Sequence, residues 1–267
     1  MKEIDIEEKM MPVQSIGRIF DLIELLTEHP SGAPLQLLSN QTGLAKSTTH
    51  RLLKSLISRG YVIQDSFTSH YRLTLKLFET ASSIINNMDL FSIAKPHLDL
   101  LAARSGEAVH LVIRDYNDIV YIYKAESATT RMMSQLGNRA PLYCTAVGKA
   151  ILSTLTIPEV QLIWKDSNVK KITQTTITDW GIFLSQIEQA KIDGFAIDNE
   201  ENELGIRCVG FPLPGIDGQA NSAFSISGLI NRMTDEKIED IKKLAKEMQK
   251  SILHNLGLIY GPAKEKI

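Results

Sequence analysis

Apolar residues recur at helical spacing near the start of the chain: Ile16, Ile19, Phe20, Ile23 and Leu26 are separated by three or four positions. That spacing gives one apolar stripe on an α-helix, and it predicts a helix over residues 15–27 with Ser15 as N-cap. Pro30-Ser31-Gly32 stops it. A second helix begins at Pro34, a residue suited to a first helical turn, and ends before Gly43. A third covers residues 46–59, burying Leu52, Leu53, Leu56 and Ile57, and ends at Gly60. Residues 61–64 and 71–74 then flank the polar turn 65–69, which is a hairpin pattern.

A further helical stretch, residues 75–87 with Leu77, Ala81, Ile84 and Ile85 apolar, leads out of this module. Beyond it the pattern changes. A helix is predicted near residues 90–103, then strands at 108–114 and 119–124 around the turn 115–118. Helices follow at 146–155 and 182–192, the latter ended by Gly194. Strands are expected at 195–197, 207–213 and 220–227, with Pro214-Gly215 and Asp217-Gly218 as turn signals. Thr234 caps a closing amphipathic helix that Gly257 ends. Helices and hairpin-linked strands mixed in this way give an α+β class, with a C-terminal domain built on a central antiparallel sheet.

Composition narrows the function classes. The 267 residues suffice for two domains, and 43% hydrophobic with 22% charged residues is the mix of a globular protein. No apolar run approaches the roughly 20 residues needed to span a bilayer. The first ten residues alternate charge and apolar character, unlike a secretory signal, so a cytoplasmic protein with no membrane partner is expected. Two cysteines, Cys144 and Cys208, fit a reducing compartment and argue against a structural zinc site; no cofactor or metal is expected. The formal net charge of −2 hides a local excess. Between residues 46 and 72, five cations (Lys46, Arg51, Lys54, Arg59, Arg72) face one acid, Asp65. Such a stretch suits phosphate.

That excess coincides with a helix–turn–helix pattern. Gly43 can take the positive φ of a tight turn, Leu44 plugs the angle between the two helices, and the next helix opens Lys46-Ser47-Thr48-Thr49-His50-Arg51. Small hydroxylated side chains at a helix start allow close approach in a major groove, which makes Ser47, Thr48, Thr49 and His50 candidates for base contact. Ser47 is also a candidate N-cap. Lys46, Arg51 and Lys54, with Ser69, His70 and Arg72 of the hairpin, would hold the backbone of double-stranded DNA. A solvated helix face, with Arg51 paired to an acid of its own domain, is the competing reading.

These residues resemble the isocitrate-lyase-regulator (IclR) family of bacterial transcription regulators over residues 12–258. The resemblance rests on Gln14-Ser-Ile-Gly-Arg-Ile-Phe20, Gly43-Leu-Ala-Lys-Ser-Thr-Thr-His-Arg-Leu-Leu53 and Gly60-Tyr61-Val. Further on it rests on Leu142-Tyr-Cys-Thr-Ala-Val-Gly148-Lys149, Asp198-Asn-Glu-Glu201, Gly205-Ile-Arg-Cys208-Val-Gly-Phe-Pro212 and Ala223-Phe-Ser-Ile-Ser-Gly228. It implies a tail (1–11), a winged helix-turn-helix DNA-binding domain (12–74), a linker helix (75–89), a GAF- or profilin-like effector and oligomerisation domain (90–260) and a second tail (261–267). It also implies a homodimer, or dimer of dimers, on a palindromic operator. The effector pocket it implies is lined by Met132, Leu136, Ala146, Val147, Asp198, Cys208, Ser225 and Ser227. Where family members commonly carry alanine, this chain has Val147, so effector identity does not transfer.

The resemblance implies a small carboxylate or aromatic effector, a sugar acid or related carboxylate being the expected class, and the chemistry of those positions suits a carboxylate or hydroxyl. Thr145 would cap a helix starting at Ala146, leaving the amides of Ala146, Val147 and Gly148 for an anion. Ser225 and Ser227, two apart on a strand, face one way. Asp198 adds an acceptor and Cys208 a weak donor. Each position has a plainer alternative. Met132 and Leu136 fit a core, Cys208 a small buried residue, and Lys149 a solvent-facing or acid-paired cation. The cluster 198–201 fits a solvated loop or a cation site. The expected function is a regulator, read as a repressor of a catabolic operon. Two other readings stay open: a DNA-binding dimer without ligand, and an enzyme using Cys208 or Cys144 with His97 or His110.

Overall fold

The computed structural model describes residues 13–86, 89–125 and 134–258, with only the backbone of 82–86. The chain divides into two compact units between Ile84 and Ile85. No helix among the described residues is long and apolar enough to cross a membrane.

The first unit contains α1 (Gln14–Thr27), α2 (Leu35–Thr42), α3 (Lys46–Ser58), β1 (Val62–Gln64), β2 (Tyr71–Leu73) and most of α4 (Lys76–Asn86). Leu22 and Leu26 of α1, Leu38 of α2, Leu52, Leu53 and Leu56 of α3, Val62 and Tyr71 form its core. Burying each leucine is worth about 1.5–3 kcal/mol, so these contacts rather than local propensity hold three short helices together. Ile16 and Phe20 do not join this core; both are exposed. Val13, not Ser15, stands at the α1 N-cap. The hairpin strands pair antiparallel, Val62 opposite Leu73. Tyr71 also exchanges backbone bonds with Ala33, Ala33 N donating over 2.9 Å and Tyr71 N over 2.8 Å, which ties the hairpin to the start of α2.

The second unit is a six-stranded antiparallel sheet in the order β5-β4-β3-β8-β7-β6. Its strands are β3 (Ala108–Asp115), β4 (Asp118–Ala125), β5 (Arg139–Pro141), β6 (Ala196–Asn199), β7 (Ile206–Pro214) and β8 (Ala220–Leu229). Strand alternation sorts the side chains between two faces. Val109, Leu111, Val209, Phe211, Phe224 and Ile226 form a core with α5 (Asp89–Ser105) and α9 (Asp235–Asn255). The opposite face receives α6 (Ala146–Leu152), with α7 (Ile157–Asp166) and α8 (Trp180–Asp193) beyond it. Trp164 stacks on Phe183 there at 4.3 Å. Two elements had no counterpart in the predicted pattern: the edge strand β5 and helix α7.

Helix α6 lies close on the sheet because of two glycines. A β-carbon at Gly210 of β7 would overlap the backbone of Ala146, and one at Gly148 would overlap Leu142. Glycine at these points is a packing requirement, not a turn requirement.

Candidate functional site

Two places carry the functional candidates, one in each unit. In the first, Gly43 takes φ +67° between α2 and α3, and Ser39 Oγ donates to Leu44 O at 2.6 Å across the turn. Ala45, not Ser47, is the N-cap of α3. Ser47 is therefore inside the helix and exposed, with Lys46, Arg51 and Lys54. Thr48 and His50 are half-buried beside them. Thr49 is a correction. Its exposure is 0%, and its hydroxyl donates to Ala45 O at 3.2 Å, because position 49 shares the inward stripe with Leu52, Leu53 and Leu56. It cannot touch a base. None of Lys46, Arg51 and Lys54 enters an ion pair among the described residues, so no described acid of its unit holds Arg51. Unneutralised cations on one helix face are what phosphate contact requires.

The hairpin adds Ser69 and Arg72, exposed, and His70, half-buried. Ser69 holds a left-handed φ of +58°. The turn before it is pinned by Asp65, whose Oδ1 accepts from Phe67 N (3.0 Å), Thr68 N (2.8 Å) and Thr68 Oγ1 (2.9 Å). Those bonds hold the Asp65 carboxyl below its ordinary pKa.

In the second unit a cavity of about 290 Å³ opens between the sheet and the start of α6. Six of the eight expected effector residues line it: Ala146, Val147, Asp198, Cys208, Ser225 and Ser227. Leu136 does not; its side chain is 61% exposed on a turn. Met132 lies outside the described residues. The sheet explains the convergence. Ser225 pairs in register with His110 of β3 and Ser227 with Cys208 of β7, so all four side chains leave one face of three adjacent strands. Ser225 Oγ and Ser227 Oγ are 3.4 Å apart.

The helix-start anion site is smaller than the sequence implied. Thr145 caps α6, and its Oγ1 accepts from Gly148 N at 3.1 Å, so that amide is already used.

Acids 198 and 201 are not a solvated loop. Asp198 and Glu201 are both buried, and the cation they face is Lys149, itself buried. Lys149 Nζ donates to Glu201 Oε1 at 2.5 Å and Gln186 Oε1 at 2.7 Å, and Glu201 N donates to Asp198 Oδ1 at 2.7 Å. The three residues form a line from under α6 to the cavity wall. Threonine hydroxyls fix the loop from outside: Thr173 Oγ1 donates to Glu200 O at 2.6 Å and Thr176 Oγ1 to Glu201 O at 2.7 Å. Burial, then the nearby Glu201 charge, pushes the Asp198 carboxyl up to about 7. No metal-holding group of His, Cys, Asp and Glu occurs among the described residues.

The cavity holds residues that the sequence reading did not assign to it: His110, Tyr121, Ser134, Asn138, Arg139, Asn202 and Glu203. His110 is buried, accepts or donates at Nε2 with Ser134 Oγ (2.8 Å), and has no partner at Nδ1 among the described residues. Burial, with Lys124 nearby, pushes its imidazole down to about 3, so it is neutral. A histidine within the apolar run Val109-His110-Leu111-Val112 was the available signal. Arg139 is committed to Asp115 (2.6 Å) and Asp118 (3.2 Å). Burial raises the Cys144 and Cys208 thiols, which therefore stay protonated. Neither is an activated nucleophile. His97 bonds Asn255 Nδ2 at 3.1 Å instead.

Each of the two units matches a known family. The family model described as the IclR helix-turn-helix domain matches residues 15–66, and that for the bacterial transcriptional regulator IclR C-terminal matches residues 82–254. The chain is 34% identical to the DNA-binding transcriptional repressor YiaJ of Escherichia coli K12, covering 94% of this chain and 91% of that protein. It is 32% identical to the HTH-type transcriptional regulator KdgR of the same organism, covering 96% and 98%. The crystal structure of the Thermotoga maritima IclR superposes with a TM-score of 0.81 at 31% identity, covering 91% and 98%. The chain belongs to the IclR family of bacterial transcription regulators.

Proposed function

We propose that the chain is a cytoplasmic repressor of a catabolic operon, released from a palindromic operator by a small carboxylate or sugar acid bound in the effector cavity. The observation that carries this is the convergence of Asp198, Ser225 and Ser227 on one cavity of about 290 Å³. Serine hydroxyls, the neutral His110 and the carboxyl of Asp198 form a hydrogen-bonding wall for a ligand rich in hydroxyl or carboxyl oxygens. Several relatives carry the name repressor, among them YiaJ and AllR.

The mechanism is linkage. Two copies present two α3 helices to half-sites about one helical turn apart, and an effector that favours a different spacing lowers operator affinity. The same coupling makes operator DNA lower effector affinity by an equal factor.

The test is a thermal-shift panel of small carboxylates and sugar acids, followed by operator binding with and without each hit. A ligand at 100 times its Kd stabilises the fold by about 2.7 kcal/mol. A hit that shifts melting and weakens operator binding supports the reading. A panel with no shift removes the effector and leaves a DNA-binding dimer.

A further inference from the structure

The largest side-chain exposure on any aromatic residue described falls at the hairpin tip, where Phe67 is 96% exposed. A single exposed apolar residue needs no explanation by itself. This one is presented differently. Its own amide donates to Asp65 Oδ1, as do the next amide and hydroxyl, both of Thr68. The turn is closed beneath it by Asp65 N to His70 O (2.8 Å) and Ser69 N to Asp65 O (2.9 Å), and Gln64 Nε2 donates to Ser69 O at 3.1 Å. The tip therefore carries its ring on a backbone already fixed, so little ordering remains to be done when a partner arrives.

The surroundings identify the partner. Ser66, Thr68 and Ser69 flank the ring with short polar side chains, leaving it the bulkiest group at the tip. Arg72 lies on β2 next to the tip, and α3, with Lys46, Arg51 and Lys54 exposed, belongs to the same packed unit through its contact with β1. Arg72 interacts electrostatically with Asp65 of the turn, whereas Lys46, Arg51 and Lys54 enter no ion pair among the described residues. An apolar tip in a unit with such cations fits a polyanion with apolar surface between its charges. Duplex DNA has that character, because stacked bases lie between phosphate walls. The reach also fits. Phe67 lies seven positions beyond Gly60, which is just after α3, so the tip stands at most roughly 23 Å away. From a helix in the major groove, half a helical turn to the neighbouring minor groove is about 17 Å.

We propose that Phe67 is a minor-groove wedge: with α3 seated in the major groove, its ring enters the adjacent minor groove and partly unstacks one base step. Apolar side chains inserted this way kink the duplex, and flexible pyrimidine–purine steps yield to them most easily. Phe67 thereby adds sequence preference outside the bases that α3 reaches.

The test uses the full chain and a duplex obtained by in vitro selection from a randomised library. Wild type, Phe67→Ala and Phe67→Leu are compared for affinity, for fluorescence of 2-aminopurine placed at flanking steps, and for self-association by sedimentation. Phe67→Ala is expected to lose at least about tenfold in affinity for the selected duplex and less than about twofold for a random one. It should also abolish the rise in 2-aminopurine fluorescence on binding, with melting temperature unchanged. Phe67→Leu should retain most of both signals. Equal affinity and equal fluorescence in Phe67→Ala would overturn the wedge while leaving DNA binding intact. A change in self-association alone would assign the ring to a second copy instead, and would equally overturn it. If selection enriches no duplex, the operator-binding reading fails first and the wedge with it.

Discussion

Lys149 and Glu201 form an ion pair 2.5 Å long with both side chains almost fully buried. Two charges removed from water cost several kcal/mol each, and their mutual attraction only offsets that cost while both are present. Glu201 Oε2 has no further partner among the described residues, so Lys149 is the main compensation for that carboxylate. Lys149→Met should therefore destabilise the second unit by about 3–5 kcal/mol. Lys149→Met combined with Glu201→Leu should recover most of the loss, because no charge is then left unpaired. Urea unfolding of the single and double variants checks this; equal losses in both would show that the pair acts through shape instead.

Asp198 gives a pH dependence with a definite sign. Its carboxyl stands at about 7 in the fold against an ordinary 3.8. Between about pH 4 and 7 the folded state keeps a proton that the unfolded chain has released, so this group's contribution to stability falls as pH rises and is flat above about 7. A carboxylate ligand beside Asp198 favours the protonated form further. Effector affinity should accordingly be level below about pH 7 and fall by up to tenfold per unit above it. His110, pushed down to about 3, adds nothing in that range. Calorimetric titration of a carboxylate hit from pH 6 to 9 measures the slope, and Asp198→Asn should flatten it. A wild-type profile that is flat through pH 7 sinks the assignment.

The sequence made some of this legible and hid the rest for physical reasons. Periodicity placed the three helices and hairpin of the first unit, since each buries one stripe against a small core. It misassigned Thr49, because a hydroxyl that bonds back to the carbonyl of Ala45 reads as polar in the sequence yet packs inward. Helix α7 was missed although its start is marked: Thr156-Ile157-Pro158-Glu159 is a capping box with proline in the first turn. Cavity residues on strands followed from alternation once Ser225 and Ser227 were paired with His110 and Cys208. The partnership of Lys149 with Glu201 was out of reach, since they lie 52 positions apart with α7, α8 and β6 between them, and no local pattern records such a contact.

The reading face of α3 separates into two kinds of side chain. Thr48 and His50 are half-buried, and under the proposed function they would meet base edges, whereas Arg51 and Lys54 are exposed cations. Thr48→Ala should reduce the ratio of operator to random-sequence affinity, at about 1–3 kcal/mol for a good base contact. Arg51→Ala and Lys54→Ala should weaken binding to all sequences and each reduce the salt slope by about one. Thr49→Ala should alter melting and leave specificity unchanged. Competition binding at several salt concentrations distinguishes these. If Thr49→Ala changes specificity at constant stability, the placement of the helix face is wrong.

Gly210 offers the most direct test of the cavity. Its Cα faces the backbone of Ala146 so closely that a methyl group would overlap Ala146 and Val147. Those two residues line the cavity, so Gly210→Ala must push the start of α6 off the sheet rather than displace a flexible side chain. Overpacking of this kind costs about 1–3 kcal/mol, and the shift separates Ala146 and Val147 from Ser225, Ser227 and Asp198 on the facing sheet. The expected result is a folded protein with a lower melting temperature and little or no effector-induced thermal shift. Its affinity for random-sequence DNA should be retained, because that depends on the exposed cations of the first unit. The control is Gly218→Ala on the β7–β8 turn. Its β-carbon would meet no atom, though its φ of +80° carries strain, so it should lower stability while leaving the effector shift intact. Should Gly210→Ala bind effector as wild type does, the ligand must sit away from the α6 start, and the cavity would no longer account for the response.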